Sequence, residues 1–331
     1  MNRELGTQNM AEMETAKQGV AADLLACIGH TPLVALDRYQ PPVNGVRLAA
    51  KLEYLNPGGS VKDRIGLAMV RAAEGTGELR PGGTIVEATA GNTGIGLALA
   101  AAVLGYRSVF VIPERFSWEK RELLRALDAE VLDTPTSEGM EGALNRAKEV
   151  VARTPGAVLM QQFANPANPA AHYATTGPEI WEQTAGQVRT VVIGAGSGGT
   201  FTGTVRFLKE RRSDLYAVLV QPYGASLGEG YQGPHKTEGI GIDKVSAVPV
   251  LDRSLIAEIV VVRDEDAQAA VRDLARQEGM LVGSSSGAAA HAAREVAQRT
   301  RTPGLVVTLF ADGADRYLSK HIYGAFEEWT R

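Results

Sequence analysis

The sequence predicts an α/β protein built as two doubly wound open sheets that meet across a cleft, and three observations carry that expectation. Short, continuously apolar runs rich in Val and Ile are bounded by glycine, which is the pattern of parallel strands covered on both faces. Runs of helical period follow most of them, giving the alternation of βα units. The units fall into two sets, 48–154 and 158 onward, parted by the turn Thr154-Pro155-Gly156.

The elements follow in chain order. Residues 1–22 are polar and acidic, without the basic end and apolar core of a signal peptide, and read as a loose tail. Arg47-Leu48-Ala49-Ala50-Lys51-Leu52-Glu53 reads as a strand. The turn Asn56-Pro57-Gly58-Gly59-Ser60-Val61-Lys62-Asp63-Arg64 comes next, and apolar residues at helical spacing follow from Ile65. Strand 84–88 precedes a helix over 93–104, strand 108–112 a helix over 117–127, and strand 190–193 a helix over 200–209. Strand 215–220, a helix over 288–298 and strand 305–310 complete the series. The expected division is a tail at 1–22, a smaller unit at 55–154, and a larger one made of 23–54 and 155–331. In such pairs of open sheets, ligands sit at the carboxyl ends of the strands.

Composition excludes several classes. A net charge of -4 leaves no electrostatic footprint for nucleic acid, and the basic run Lys209-Glu210-Arg211-Arg212 is short and interrupted by acid. No stretch approaches the ~20 apolar residues of a membrane span, so neither nucleic acid nor membrane is expected as a partner, and the cytoplasm is the expected compartment. Cys27 is the only cysteine, which rules out an internal disulfide and a thiolate metal cluster; no metal is expected. Cys27-Ile28-Gly29-His30 supplies two ligand types but closes no site, and Cys27 is expected to be a small core residue before the turn His30-Thr31-Pro32.

Four small-residue turns carry the chemistry. In the first, Ser60 is placed to cap a helix with Asp63 three residues on, an approximate capping box. Lys62 then falls in the first turn, where the positive end of the helix and burial would lower its pKa toward a nucleophilic free amine. A solvated surface lysine is the alternative. The second turn, Thr89-Ala90-Gly91-Asn92-Thr93-Gly94, offers hydroxyls, a carboxamide and backbone amides that suit a small carboxylate, or else forms a decorated helix cap.

The third turn, Gly194-Ala195-Gly196-Ser197-Gly198-Gly199-Thr200, follows a strand and suits a phosphate at a helix N-terminus. Its letters also fit a dinucleotide fingerprint, the basis of an alternative oxidoreductase reading. That fingerprint requires an acid about 20 residues on; here Leu219-Val220 ends in Gln221-Pro222, and a phosphate monoester fits better. The fourth, Val282-Gly283-Ser284-Ser285-Ser286-Gly287-Ala288, supplies hydroxyls able to hydrogen-bond a ring nitrogen without holding it firmly protonated. An amine, a phosphate nest, a carboxylate nest and a hydroxyl cluster together meet the needs of pyridoxal 5'-phosphate bound to an amino acid.

With these turns, the motifs His30-Thr31-Pro32-Leu33-Val34, Gln162-Phe163-Ala164-Asn165-Pro166-Ala167-Asn168-Pro169, Thr176-Gly177-Pro178-Glu179-Ile180-Trp181, Gly233-Pro234-His235-Lys236, Gly239-Ile240-Gly241 and Arg316-Tyr317-Leu318-Ser319 make the chain recognisable. It resembles the cysteine synthase and cystathionine β-synthase family of fold-type II, tryptophan-synthase-β-like pyridoxal phosphate enzymes, over about 28–323.

The resemblance implies roles. Lys62 would hold the cofactor as a Schiff base and act as acid and base at the substrate α-carbon. Asn92 would bond the phenolic oxygen; Gly196, Ser197, Gly198, Gly199 and Thr200 would bind the phosphate; Ser285 would face the pyridine nitrogen. Thr89, Ala90, Asn92, Thr93 and Gln162 match the substrate-carboxylate positions, and Gly239 and Gly241 the loop on the nucleophile side. The implied reaction is β-replacement on O-acetylserine or serine through an aminoacrylate, with sulfide or homocysteine attacking.

Ala90 stands where the family has serine, and Asp128 where it has glycine. Gln162-Phe163 and Gly233-Pro234-His235-Lys236 are similar to cysteine synthases. Glu119-Lys120, Glu238-Gly239-Ile240-Gly241 and Val250-Leu251-Asp252-Arg253 are closer to cystathionine β-synthases, and the mixture is closest in pattern to the bacterial O-acetylserine-dependent form. Without a regulatory tandem or a haem-binding extension in the sequence, the long animal form is not expected. The family also implies a homodimer and, as a partner held in the same cleft, serine acetyltransferase; a non-catalytic scaffold for that partner is a further alternative, at odds with the presence of Lys62 and Asn92.

Overall fold

The computed structural model describes residues 19–89, 91–114, 118–225, 227, 232–242 and 248–324. Ala90 and residues 1–18 of the expected tail lie outside them. Two sheets organise the chain. The larger has six strands in the order β1-β2-β10-β7-β8-β9 and the smaller four in the order β5-β4-β3-β6.

In the larger sheet, β2 (Val46–Leu52), β10 (Gly304–Phe310), β7 (Val188–Gly194), β8 (Tyr216–Pro222) and β9 (Glu258–Val262) run parallel, and β1 (Leu33–Ala35) closes one edge antiparallel to β2. The inner strands are buried along nearly their whole length, as both-face covering requires of Val- and Leu-rich runs. Helices α7 (Gly199–Arg211), α8 (Asp264–Glu278) and α9 (Ser284–Arg299) supply that cover.

The smaller sheet is wholly parallel: β3 (Thr84–Ala88), β4 (Arg107–Pro113), β5 (Glu130–Thr134) and β6 (Ala157–Leu159). Because β6 pairs with β3, this sheet ends at Leu159, beyond the boundary expected at 154. The Thr154-Pro155-Gly156 turn leads into its last strand instead of out of it. Around it pack α1 (Lys62–Thr76), α2 (Asn92–Leu104), α3 (Trp118–Ala126) and α4 (Gly139–Arg153). Two short helices, α5 (Ala167–Ala174) and α6 (Thr176–Gln183), lead back to the larger sheet.

Two local expectations change. Cys27 is exposed, because its neighbour Leu25 takes the only buried position of the short turn Leu24–Cys27. Asp128 adopts φ 60°, so the turn keeps the left-handed conformation without its glycine; a short polar side chain is among the few that tolerate it.

Candidate active site

Lys62 is the first residue of α1. The cap is assigned to Val61, and the expected box takes a different form. Ser60 Oγ accepts the Lys62 N–H at 3.2 Å, while Asp63 reaches back past Ser60 to the Gly58 N–H at 2.6 Å. The Lys62 amine makes no hydrogen bond or ion pair with any described residue. Burial pushes its pKa down, against the opposing pull of the Asp312 and Glu53 carboxylates. It is a half-buried amine biased toward its neutral form.

Asn92 begins α2 beside it. The two helices cross in backbone contact, since a Cβ on Gly66 would lie 2.4 Å from the Gly96 carbonyl carbon and one on Gly96 would lie 2.5 Å from the Lys62 carbonyl oxygen. Gly66 lies one turn after Lys62 and Gly96 one turn after Asn92, so the close crossing sets the Lys62 backbone against Gly96, one turn from Asn92.

The loop of Thr89 and Gly91 leads into the same helix start. Thr89 Oγ1 accepts the Gly91 N–H at 3.0 Å, and Thr93 Oγ1 donates to Gln162 Oε1 at 2.6 Å. With its oxygen engaged, Gln162 presents its amide N–H groups. Behind it, Glu87 Oε2 accepts the Gln162 N–H at 3.2 Å. Burial lifts the Glu87 carboxyl to about 8, opposed by backbone amides that include that of Gln162.

Gly196, Ser197, Gly198, Gly199 and Thr200 lead into α7, whose start carries no side-chain cap and where Gly198 takes the left-handed conformation at φ 86°. Asn168 joins the two loops: its Nδ2 donates to the Gln162 carbonyl at 2.7 Å and to Ser197 Oγ at 3.0 Å. Its Oδ1 is buried and has no partner among the described residues. His172 packs underneath, with Nδ1 2.8 Å from Thr176 Oγ1 and Nε2 3.1 Å from Thr200 Oγ1; burial holds its pKa at about 3, so the ring is neutral.

Ser285 lies in the first turn of α9, which begins at Ser284 and not after the serines. The residue is buried, its hydroxyl makes no hydrogen bond with a described residue, and a Cβ on Gly239 would lie 3.7 Å from that hydroxyl. The flanking serines are occupied: Ser284 Oγ accepts the Glu238 N–H at 3.1 Å and Ser286 Oγ the Ala311 N–H at 3.0 Å. Gly241 donates to the Ala195 carbonyl at 3.0 Å, and a Cβ on Gly196 would lie 2.6 Å from the Gly239 carbonyl oxygen. The 195–200 loop and the 239–241 loop are therefore one packed unit. Gln221 seals it, donating to the Ala195 carbonyl at 2.7 Å and accepting the Ile242 N–H at 2.9 Å. The place where a dinucleotide needs an acid is filled.

These contacts link the predicted loops to one another, and further residues join them. Val61 N–H donates to the Ala311 carbonyl at 2.8 Å, tying the Lys62 turn to the segment that holds Ser286. Beneath Lys62, Arg64 forks onto Glu53 at 2.7 and 2.8 Å and onto Glu179 at 2.6 and 2.8 Å, and Lys51 pairs with Glu179 at 2.6 Å. Although burial works against it, Arg64 holds the Glu53 carboxyl at about 2. On the open side, Lys120 pairs with Glu238 at 2.8 Å, its Nζ 4.4 Å from the centroid of the Tyr317 ring.

The family described as "Pyridoxal-phosphate dependent enzyme" matches residues 24–312. The chain is 46% identical over 304 residues to the O-acetylserine dependent cystathionine beta-synthase of Bacillus subtilis, covering 92% of this chain and 98% of that one. It is 46% identical over 298 residues to a cysteine synthase of Helicobacter pylori, covering 89% and 96%. Among solved structures it is similar to the O-acetylserine dependent cystathionine beta-synthase of Helicobacter pylori, with a TM-score of 0.87 at 44% identity over 92% of this chain and 100% of that one.

Proposed function

The chain belongs to the family of pyridoxal-phosphate dependent enzymes, and on that premise we propose that it catalyses β-replacement on O-acetylserine or serine with a sulfur nucleophile. Homocysteine would give cystathionine and sulfide would give cysteine. The observation that carries this reading is Lys62: an amine without a partner among the described residues, depressed by burial, at the meeting point of a phosphate nest and a carboxylate loop.

The residues fit the cofactor. The backbone amides from Gly196 to Thr200, at a helix start, suit a phosphate, and Ser285 offers a hydroxyl with no partner among the described residues to a ring nitrogen. When bound, pyridoxal phosphate supplies an electron sink for the pair released at the substrate α-carbon. The protein does the rest. Lys62 is placed to take and return the α-proton. The Gln162 N–H groups and the amides of the 89–93 loop orient the substrate carboxylate. A neutral hydroxyl at Ser285, in place of a carboxylate, leaves the ring nitrogen without a strong counter-charge, which favours elimination over transamination.

Mixing the purified, cofactor-loaded protein with O-acetylserine tests the reading. The visible band should shift to longer wavelength as conjugation with the ring is extended, and product analysis with homocysteine and sulfide in competition ranks the two nucleophiles. A protein that takes up no cofactor would sink the proposal. A homodimer, a cytoplasmic location and binding of serine acetyltransferase complete the proposal; sedimentation of the protein alone, cell fractionation and co-purification test them in turn.

A further inference from the structure

Asn92 is held at both ends of its carboxamide. Its Nδ2 donates to Asp312 Oδ2 at 2.6 Å, and its Oδ1 accepts from Arg316 Nη1 at 2.7 Å. Both partners are buried and braced. Tyr317 donates its hydroxyl to the same Asp312 oxygen, the Asp312 carbonyl accepts the Gly283 N–H at 3.0 Å, and Arg316 Nη2 is anchored on the Gly58 carbonyl.

A carboxamide has two nearly isosteric orientations, and its neighbours select between them. Here a flip would turn the Asn92 oxygen toward a carboxylate and its N–H groups toward a guanidinium, so both contacts would become repulsive. One Nδ2 hydrogen is spent on Asp312, and the second is left to donate.

We infer that Asp312 and Arg316 are positioning residues that lock the Asn92 carboxamide so that its free N–H, and never its carbonyl, faces the phenolic oxygen of the bound cofactor. The inference rests on the reading of the site given above. Asp312 and Arg316 act through Asn92, and their contribution disappears when Asn92 cannot form the bond.

A double-mutant cycle on the cofactor-loaded protein tests this. Asp312→Asn, Arg316→Gln and Asn92→Ala are each expected to move the visible absorbance maximum of the bound cofactor in the same direction. Each should lower kcat/KM by about tenfold, the worth of one charge-assisted hydrogen bond. In the Asn92→Ala background, adding Asp312→Asn should change kcat/KM by less than about twofold, within ordinary additivity error. An unmoved maximum in the single variants, or a full tenfold loss that persists without the Asn92 amide, would overturn the inference; the second result would assign Asp312 a direct effect on Lys62. Should Asp312→Asn fail to fold, Arg316→Gln runs the same cycle from the other end of the amide. No visible band in the parent protein would overturn the proposed function, and this inference with it.

Discussion

Gly66 and Gly96 meet backbone to backbone, with room for no side chain at either: a methyl on Gly66 would fall 2.4 Å from the carbonyl carbon of Gly96. Alanine normally strengthens a helix over glycine by about 1 kcal/mol. Overpacking against rigid backbone costs about 1 to 3 kcal/mol, and here it should win. Gly66→Ala is expected to lower the urea midpoint and to slow turnover by moving the start of α1, and Lys62 with it, away from α2. A methyl on Gly75, in the same helix, would have no atom within 4 Å of it, so Gly75→Ala should raise the midpoint. Opposite signs in urea unfolding are the check.

Glu87 should set an alkaline slope. Burial raises its folded pKa to about 8 from the ordinary 4.5. Between those values the folded protein holds a proton that the unfolded chain has lost, so stability falls as pH rises through that window. Glu87→Gln, neutral at every pH, should match the parent near pH 4.5 and be more stable by a few kcal/mol above pH 8. Parallel curves for the two proteins would contradict this.

Glu53 should act in the other direction. Its folded pKa of about 2 lies below the ordinary 4.5, so its contribution is whole above pH 4.5 and is lost as pH falls toward 2. Removing one partner of a buried pair costs about 3 to 5 kcal/mol. Glu53→Gln is expected to lose stability on that order at pH 7 and to show a flatter acid limb in chemical denaturation.

Lys62→Ala should separate binding from chemistry. The amides at 196–200 remain, so the protein should still take up the cofactor, held by its phosphate. Turnover should fall by on the order of 10²-fold to 10⁴-fold, the range of a lost acid/base group. Borohydride treatment should attach the cofactor to the Lys62 peptide of the parent and to nothing in the variant, as read by mass spectrometry.

The four loops are legible in the sequence because each is written in consecutive residues: a strand, a few small residues, a helix start. What joins the loops is not. Asn92 and Asp312 are 220 residues apart, and Asp312 sits in Ala311-Asp312-Gly313, a stretch with no periodicity of its own. Glu53 and Glu87 read as ordinary acids at strand ends until burial and partners are known. Strand β6 escapes pattern reading because three residues are too few to show a period. The serines at 284–286 look like a turn because glycines flank them on both sides, yet Gly283 is extended at φ -74° and ψ 170° and caps the helix directly.

Helix α1 belongs to both halves of the molecule. Its entry is tied to the larger sheet through Val61 and Ala311, while Ile65, Met69, Val70 and Ala73 pack in the core of the smaller one. Lys62 stands where these attachments meet, in the position of a pivot. Points on an axis of rotation do not translate, so a swing of the smaller half about this end of α1 would widen or narrow the entrance while the reactive nitrogen kept its place.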